Sequence, residues 1–347
     1  MNHRKSILAL ALLAGFASAA SAQSAVTLYG SLDLAITKGN GGTAFNQGAN
    51  GASEAWQMKQ SSGSRLGFRG NEDLGGGWAA QFDIQHRFTP DDGAANAIFW
   101  AGRSTVALSS KDLGRVYLGR DYTPAYYIAA KSDPFGQDGV AQMGGRQFAG
   151  FSAQVPGTAG APSASSPASR TANTVGYITP SFSGLTVQAA VGLGEDAIGR
   201  EAGLNAEYVA GPIYAGLGYE KIEGGAVSGA KLSTNGDGSS LVNLALHYDF
   251  GVVKPIFYYA RSKMGVGNNS THKFIQLGAT APIAAGKLKV AYGRFDPQGD
   301  NNTESKLGLG YDYSLSKRTT LYADLGLGKQ DAHTNNTAYA LGLKHTF

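Results

Sequence analysis

The chain closes with Tyr339-Ala340-Leu341-Gly342-Leu343-Lys344-His345-Thr346-Phe347, in which apolar or aromatic side chains alternate with small or polar ones. Successive side chains of a β-strand point to opposite faces, so this period of two predicts a strand with one apolar face. The same alternation recurs along the chain, for example in 26–36, 78–85 and 306–313. Ser, Thr, Gly, Gln and charged residues occupy the second face, and a buried core does not accept them in such numbers. A barrel in lipid, apolar outside and wet inside, fits this polarity better than a sandwich does.

Residues 1–22 have the form of a cleavable secretory signal, with Arg4 and Lys5 before an apolar run and Ala20-Ser21-Ala22 at its end. The apolar run is too short for a membrane helix, which needs about 20 residues. A retained anchor is the alternative to cleavage. No later stretch reaches that length, so the remaining domain, 23–347, can enter a bilayer only as a closed sheet. The chain has no cysteine, which excludes disulfides and Cys-metal sites.

Turn signals divide the chain into sixteen predicted strands, with seven short connections such as 72–77 and 111–114 alternating with eight longer polar ones. An even strand number, with short turns at one end and long loops at the other, is typical of outer-membrane barrels. Sixteen strands enclose a lumen too wide for side chains to fill, so the pattern predicts an aqueous channel. Pro255 falls inside a predicted strand and requires a bulge, because it cannot donate a ladder hydrogen bond.

Short segments spread over the whole mature chain resemble one known family. The clearest are Ser24-Ala25-Val26-Thr27-Leu28-Tyr29-Gly30, Ser64-Arg65-Leu66-Gly67-Phe68-Arg69-Gly70, Leu118-Gly119-Arg120-Asp121-Tyr122-Thr123-Pro124 and Leu315-Ser316-Lys317-Arg318-Thr319. In this order they resemble the trimeric general porins of Gram-negative β-proteobacteria. The resemblance implies an outer-membrane homotrimer of sixteen-stranded antiparallel barrels with short periplasmic turns. It also implies that the third loop, here 122–172, folds into the lumen, and we assign the terminal Phe347 to the membrane-insertion signal.

Arginines form the candidate selectivity site. Arg65 and Arg69 share the lumen-facing parity of the second strand, Arg103 has that parity at the fourth, and Arg170 stands at the entry to the sixth. The resemblance implies that Arg65, Arg103 and Arg170 line the narrowest point of the pore. Candidate counter-charges on or near the third loop are Asp121, Asp133 and Asp138, of which Asp121 is the best. Guanidinium groups stay charged at any working pH, so such a cluster favours anions.

A second interpretation of these arginines remains open. They can pair with lumen carboxylates such as Asp33, Asp83 and Asp121 and thereby hold the wall and the loop. Arg120 fits neither interpretation easily, because it shares parity with residues that should face lipid, and only a bulge or a position at the membrane edge would accommodate it.

The remaining side chains predict no catalytic, metal or cofactor site. The six histidines are dispersed along the chain without ligand spacing, and no nucleophile motif occurs. We therefore predict a passive diffusion channel for small hydrophilic solutes and ions that prefers anions, contacts outer-membrane lipid and binds no nucleic acid. The alternatives are a substrate-preferring porin with a phosphate or small organic anion site at the same arginines, a barrel lipase, and an adhesin that acts through its loops.

Overall fold

The computed structural model describes residues 25–45, 53–151, 169–193, 200–222, 238–263, 270–299 and 302–347, and the backbone of 226–227 and 230–231. The predicted signal peptide, 1–22, lies outside the described residues. So does 155–168, the Pro-, Ala- and Ser-rich part of the third loop.

The wall is a closed antiparallel sheet in which each strand pairs with the next and β1 pairs with β16, Ser31 lying opposite Thr346. Its sixteen strands are β1 (Ala25–Gly39), β2 (Arg65–Gly75), β3 (Trp78–Arg87), β4 (Ser104–Ser110), β5 (Gly114–Tyr122), β6 (Arg170–Ile178), β7 (Leu185–Gly192), β8 (Glu201–Ala210), β9 (Ile213–Ile222), β10 (Ser240–Tyr248), β11 (Lys254–Lys263), β12 (Thr271–Ile283), β13 (Gly286–Asp296), β14 (Glu304–Ser314), β15 (Thr319–Gln330) and β16 (Asn336–Thr346). A short strand, Gln57–Lys59, adds to β1 from the first loop, and Ala226–Val227 pairs with Ala230–Lys231 in the fifth loop. The predicted sixteen-stranded barrel is confirmed.

The outer face of the wall is apolar and the inner face largely polar, as the alternation predicted. Exposed outward side chains include Leu28, Leu217, Leu246, Leu277 and Leu341. Buried inward side chains include Asp33, Gln188, Asn205, Asn243 and Asp324. Hydrocarbon therefore meets leucines and valines, while the polar groups point to the lumen. Among the described residues, no helix is long and apolar enough to cross a membrane.

The described part of the third loop, 123–151, folds back inside the barrel and contains a helix that the sequence did not predict. Helix α1 (Pro124–Ser132) begins with Thr123 as N-cap, whose Oγ1 accepts a hydrogen bond from the Tyr126 N–H at 3.3 Å, and with proline in its first turn. A 3₁₀ turn, Gly144–Phe148, follows. The loop turns tightly at Gly136 and Gly144, whose φ angles are +65° and +55°.

The hydrophobic core lies in the lumen, between the third loop and one side of the wall. Ile128, Met143 and Phe148 of the loop belong to the same buried cluster as Tyr258 and Phe274 of the wall. The inner face from β9 to β13 is therefore partly apolar, contrary to the expectation of a uniformly polar lining. The loop keeps water off this part of the wall, and apolar side chains are favoured wherever water is excluded.

Two strand irregularities were expected, and one is present. The β5–β6 register shifts between Gly119 and Asp121, which gives Arg120 the bulge that its parity required, and Arg120 Nε donates to the Ala101 carbonyl at 3.2 Å. The bulge predicted at Pro255 is wrong. Pro255 is the second residue of β11, and pairing with β10 begins only at Ile256, so the register continues without a shift.

Candidate functional site

Arg103 lies just before β4 and is held by two carboxylates. Its Nε donates to Asp121 Oδ1 at 2.7 Å and its Nη1 to Asp83 Oδ2 at 3.2 Å. Its Nη2 donates to the Tyr127 hydroxyl of α1 at 2.8 Å, and burial raises the pKa of that phenol, so it stays neutral. Arg103 thus joins two wall strands to the loop helix, and its positive charge is matched by the carboxylates around it.

Three other arginines, Arg65, Arg87 and Arg170, form what we call the arginine strip. Arg87 Nη1 donates to the Gly63 carbonyl at 3.0 Å, and Arg65 Nη1 lies 3.5 Å from the same oxygen. Arg87 Nη2 donates to the Tyr122 hydroxyl at 3.3 Å, and Arg170 Nη2 donates to that hydroxyl as well. Within the described part of the chain, no carboxylate oxygen lies within 4.0 Å of these three guanidinium groups. The strip keeps its positive charge because its hydrogen-bond acceptors are neutral.

Sequence reasoning missed Arg87, although the signal for it was present. Arg87 ends β3 and has the inward parity of Asp83 and Gln85. Its side chain comes next to Arg65 because these two residues face each other across the β2–β3 pair. Following the alternation to the last residue of the strand would have identified it.

The remaining predicted site residues lie apart from the hydrogen bonds of the strip. Arg69 is exposed, and its guanidinium lies 5.3 Å from the centre of the Tyr29 ring. Phe347 closes the sheet: its N–H donates to the Gly30 carbonyl at 3.2 Å, and its carbonyl accepts from the Gly30 N–H at 3.0 Å. A Cβ on Gly30 would lie 2.5 Å from the Arg65 carbonyl oxygen, so this seam requires glycine.

Asp138 is the acidic group that the third loop brings nearest to the strip. Burial raises its pKa to about 6, against the opposing effect of the positive charges of Lys344 and Arg65. It lines a chamber of about 480 Å³ that also contains Lys289 and Asp312. Lys289 Nζ lies 2.6 Å from Asp312 Oδ1 and 3.3 Å from Asp324 Oδ1, so charges in the chamber compensate each other, unlike those of the strip.

Buried polar contacts fix the described part of the third loop. Arg146 donates to both carboxylate oxygens of Glu304 in β14, at 2.5 and 2.6 Å. Asp133 accepts the backbone N–H groups of Phe135, Gln137 and Met143 at 3.0 to 3.2 Å. Burial raises the pKa of the Asp133 carboxyl, and these three hydrogen bonds oppose that effect by favouring the charged form. The loop is consequently a fixed part of the pore lining.

Comparisons with known proteins agree with this geometry. Residues 9–333 match the model of the Gram-negative porin family. Outer membrane porin protein 32 of Delftia acidovorans is 34% identical, covering 98% of this chain and 92% of the relative. An outer membrane porin protein of Bordetella pertussis is 31% identical, covering 99% of this chain and all of the relative.

A solved structure gives the same result. The anion-selective porin from Comamonas acidovorans superposes with a TM-score of 0.76 at 29% identity, covering 94% of this chain and 100% of that one. With the closed sixteen-stranded barrel and the inward-folded third loop, these matches show that the chain belongs to the Gram-negative porin family and is an outer-membrane porin.

Proposed function

We propose that the barrel is a passive diffusion channel for small hydrophilic solutes that prefers anions, and that the arginine strip sets this preference. The observation that carries the proposal is the absence, among the described residues, of any carboxylate paired with Arg65, Arg87 or Arg170. A guanidinium remains protonated throughout the working pH range. Uncompensated positive charge on a confined aqueous path lowers the barrier for anions and raises it for cations.

In this proposal some arginines support the wall and the loop, and others set the anion preference. Arg103, between Asp83 and Asp121, supports the wall and holds the loop helix. Arg65, Arg87 and Arg170 act on passing ions. Support comes also from the similar Comamonas acidovorans porin, which is described as anion-selective.

The assembly and processing of the chain belong to the same proposal. We infer a homotrimer in which each barrel has its own pore, a signal peptide (1–22) removed on export from a mature 23–347 domain, and a terminal Phe347 that directs membrane insertion. Three-step closure of single reconstituted particles would report the trimer. The channel function requires no enzymatic activity, so purified protein should leave lipid esters intact.

A second candidate function is a substrate-preferring channel. Arg87 and Arg170 place two guanidinium forks on one hydroxyl oxygen, and adjacent forks can bind a phosphate or carboxylate in bidentate fashion. Such a site predicts that current carried by the preferred anion saturates with concentration and that a second anion competes for it. A general channel gives current that rises linearly with concentration.

Solute flux into liposomes tests the main proposal. Gluconate and glucose are similar in size and differ in charge, so their rates of uptake compare electrostatics at nearly constant size. The proposal predicts faster uptake of gluconate by the wild type and loss of that advantage in Arg65→Ala and Arg170→Ala. Equal rates for the two solutes in the wild type would contradict it.

A further inference from the structure

Tyr122, the last residue of β5, lies at the centre of the arginine strip. Its hydroxyl oxygen accepts from both Arg87 Nη2 and Arg170 Nη2, at 3.3 Å for Arg87. The Arg170 guanidinium carbon lies 4.1 Å from the centre of the Tyr122 ring. No other side chain among the described residues is recorded as accepting hydrogen bonds from two members of the strip.

The position of Tyr122 is itself fixed by the loop and by the bulge in β5. Its ring stacks on that of Tyr126 in α1, with centroids 4.4 Å apart and planes at 1°, and Tyr126 stacks in turn on Phe148 at 5.9 Å. The register shift between Gly119 and Asp121 precedes it and resets the pairing so that Tyr122 faces Arg170. Gly119 has φ +120°, and a Cβ there would lie 2.1 Å from the Ser104 carbonyl oxygen, so the bulge requires glycine.

The physical problem that this arrangement solves is repulsion between like charges. Two guanidinium groups without a shared acceptor move apart, and each has several rotatable bonds. A carboxylate would hold them together but would cancel one of their two positive charges. A phenol oxygen has acceptor capacity and no net charge, and an aromatic face attracts a cation as well.

We propose that Tyr122 is a positioning residue for anion selectivity, whose hydroxyl and ring hold Arg87 and Arg170 side by side without neutralising them. This inference rests on the proposed function, because it assumes that the strip acts on passing anions. Tyr122 acts in this inference through the position of the two arginines and contributes no charge of its own.

The chain offers a matched control for removal of the hydroxyl. Tyr127 is also a phenol at this site, but its hydroxyl contacts Arg103 and Asp121, where the charges already compensate. Tyr122→Phe and Tyr127→Phe each remove one oxygen and keep the ring. Only the first should change ion selectivity.

The test compares reversal potentials under a salt gradient for the wild type and both variants. We expect Tyr122→Phe to lower the anion-to-cation permeability ratio about twofold or more, since displacement of a unit charge by a few ångströms away from the ion path weakens its Coulomb interaction with a passing ion. Conductance at high salt should stay near the wild-type value, because the pore width is unchanged. Tyr127→Phe should keep the wild-type ratio.

A second variant tests the idea without altering the tyrosine. Arg170→Lys keeps the positive charge but lacks the planar fork that reaches the hydroxyl and lies over the ring. We expect its permeability ratio to fall well below that of the wild type. Full retention of the ratio in Arg170→Lys would show that charge alone is sufficient and would overturn the inference.

The outcomes separate this inference from the proposed function. A wild type without anion preference refutes the proposed function. A selective wild type that keeps its ratio in Tyr122→Phe refutes only the role of Tyr122. An equal loss in Tyr122→Phe and Tyr127→Phe also refutes it, because it would point to general loosening of the helix.

Discussion

Replacement of Arg87 by glutamine separates selectivity from wall support at one residue. Arg87 contributes a guanidinium with two neutral acceptors, the Gly63 carbonyl at 3.0 Å and the Tyr122 hydroxyl at 3.3 Å, and its buried Nε atom has no hydrogen-bond partner. Glutamine keeps a polar side chain of moderate length and removes the charge. The two roles of the arginine therefore predict different results.

The expected magnitude follows from Coulomb's law. A unit charge 4 Å from an ion interacts with it by about 1 kcal/mol in bulk water, and screening by physiological salt reduces this. Since 1.36 kcal/mol corresponds to a factor of ten, loss of the charge should disfavour anions by about threefold to fivefold and favour cations by about the same factor, so the anion-to-cation permeability ratio should fall by about tenfold or more. Stability should change little or rise, because the neighbours in the strip, Arg65 and Arg170, repel the charge that is removed.

The assay combines reversal potentials in planar bilayers with the thermal unfolding midpoint in detergent. Lys111→Gln, in an exposed short turn, is the control for a loss of net charge away from the strip. It should leave both quantities unchanged. An Arg87→Gln variant with an unchanged permeability ratio and a strongly lowered unfolding midpoint would refute the reasoning, since the arginine would then be a structural support.

Four further predictions concern the surroundings of the strip and the third loop. Arg103→Gln should lower the unfolding midpoint, because it leaves the buried carboxylate of Asp121 without its cation; breaking a fully buried ion pair typically costs about 3–5 kcal/mol, and the cost here should be smaller because Arg103 and Asp83 are partly exposed. Anion selectivity should increase as the pH falls from 8 to 5, because the Asp138 carboxyl, whose pKa burial raises to about 6, becomes neutral; Asp138→Asn should abolish this dependence. At pH 8 Asp138→Asn should unfold at a higher temperature than the wild type. A carboxyl whose pKa is raised from 3.8 to about 6 in the folded protein stabilises the fold below pH 3.8, and this stabilisation is lost as the pH rises through 6. At pH 8 the wild type therefore carries a buried negative charge that the variant lacks. Finally, Arg146→Ala and Glu304→Ala should each increase single-channel conductance by releasing the loop, and the double variant should add little to either; full additivity would show that this ion pair does not hold the loop.

The wall of the barrel could be predicted from sequence because its physics is local. In a strand between lipid and water, every second side chain is apolar and faces the lipid, so the sequence alone shows which face is which. This alternation is present in β1, β3, β14 and β16. The glycine and polar turn residues then gave the strand count. The parity rule also assigned Arg65, Arg69 and Arg103 to the inner face, whereas Arg170 was identified by its place at the entry to the sixth strand and by the family resemblance.

The interior of the barrel was less predictable, because it depends on contacts between distant parts of the chain. Helix α1 has a capping threonine and a first-turn proline, yet nothing local indicates that it packs against Tyr258 and Phe274. Those wall residues are apolar on the lumen side only because the loop covers them. The sequence also could not show which arginines pair with carboxylates. Arg103 and Arg170 both stand at the start of a strand, and they differ only in the carboxylates that the fold brings beside Arg103.

The reversal potential of the reconstituted wild-type channel under a salt gradient tests the central claim most directly. The account predicts a potential whose sign corresponds to anions crossing faster than cations, and whose size decreases as ionic strength rises and screens the strip. A potential of the opposite sign, or none at low ionic strength, would contradict the account.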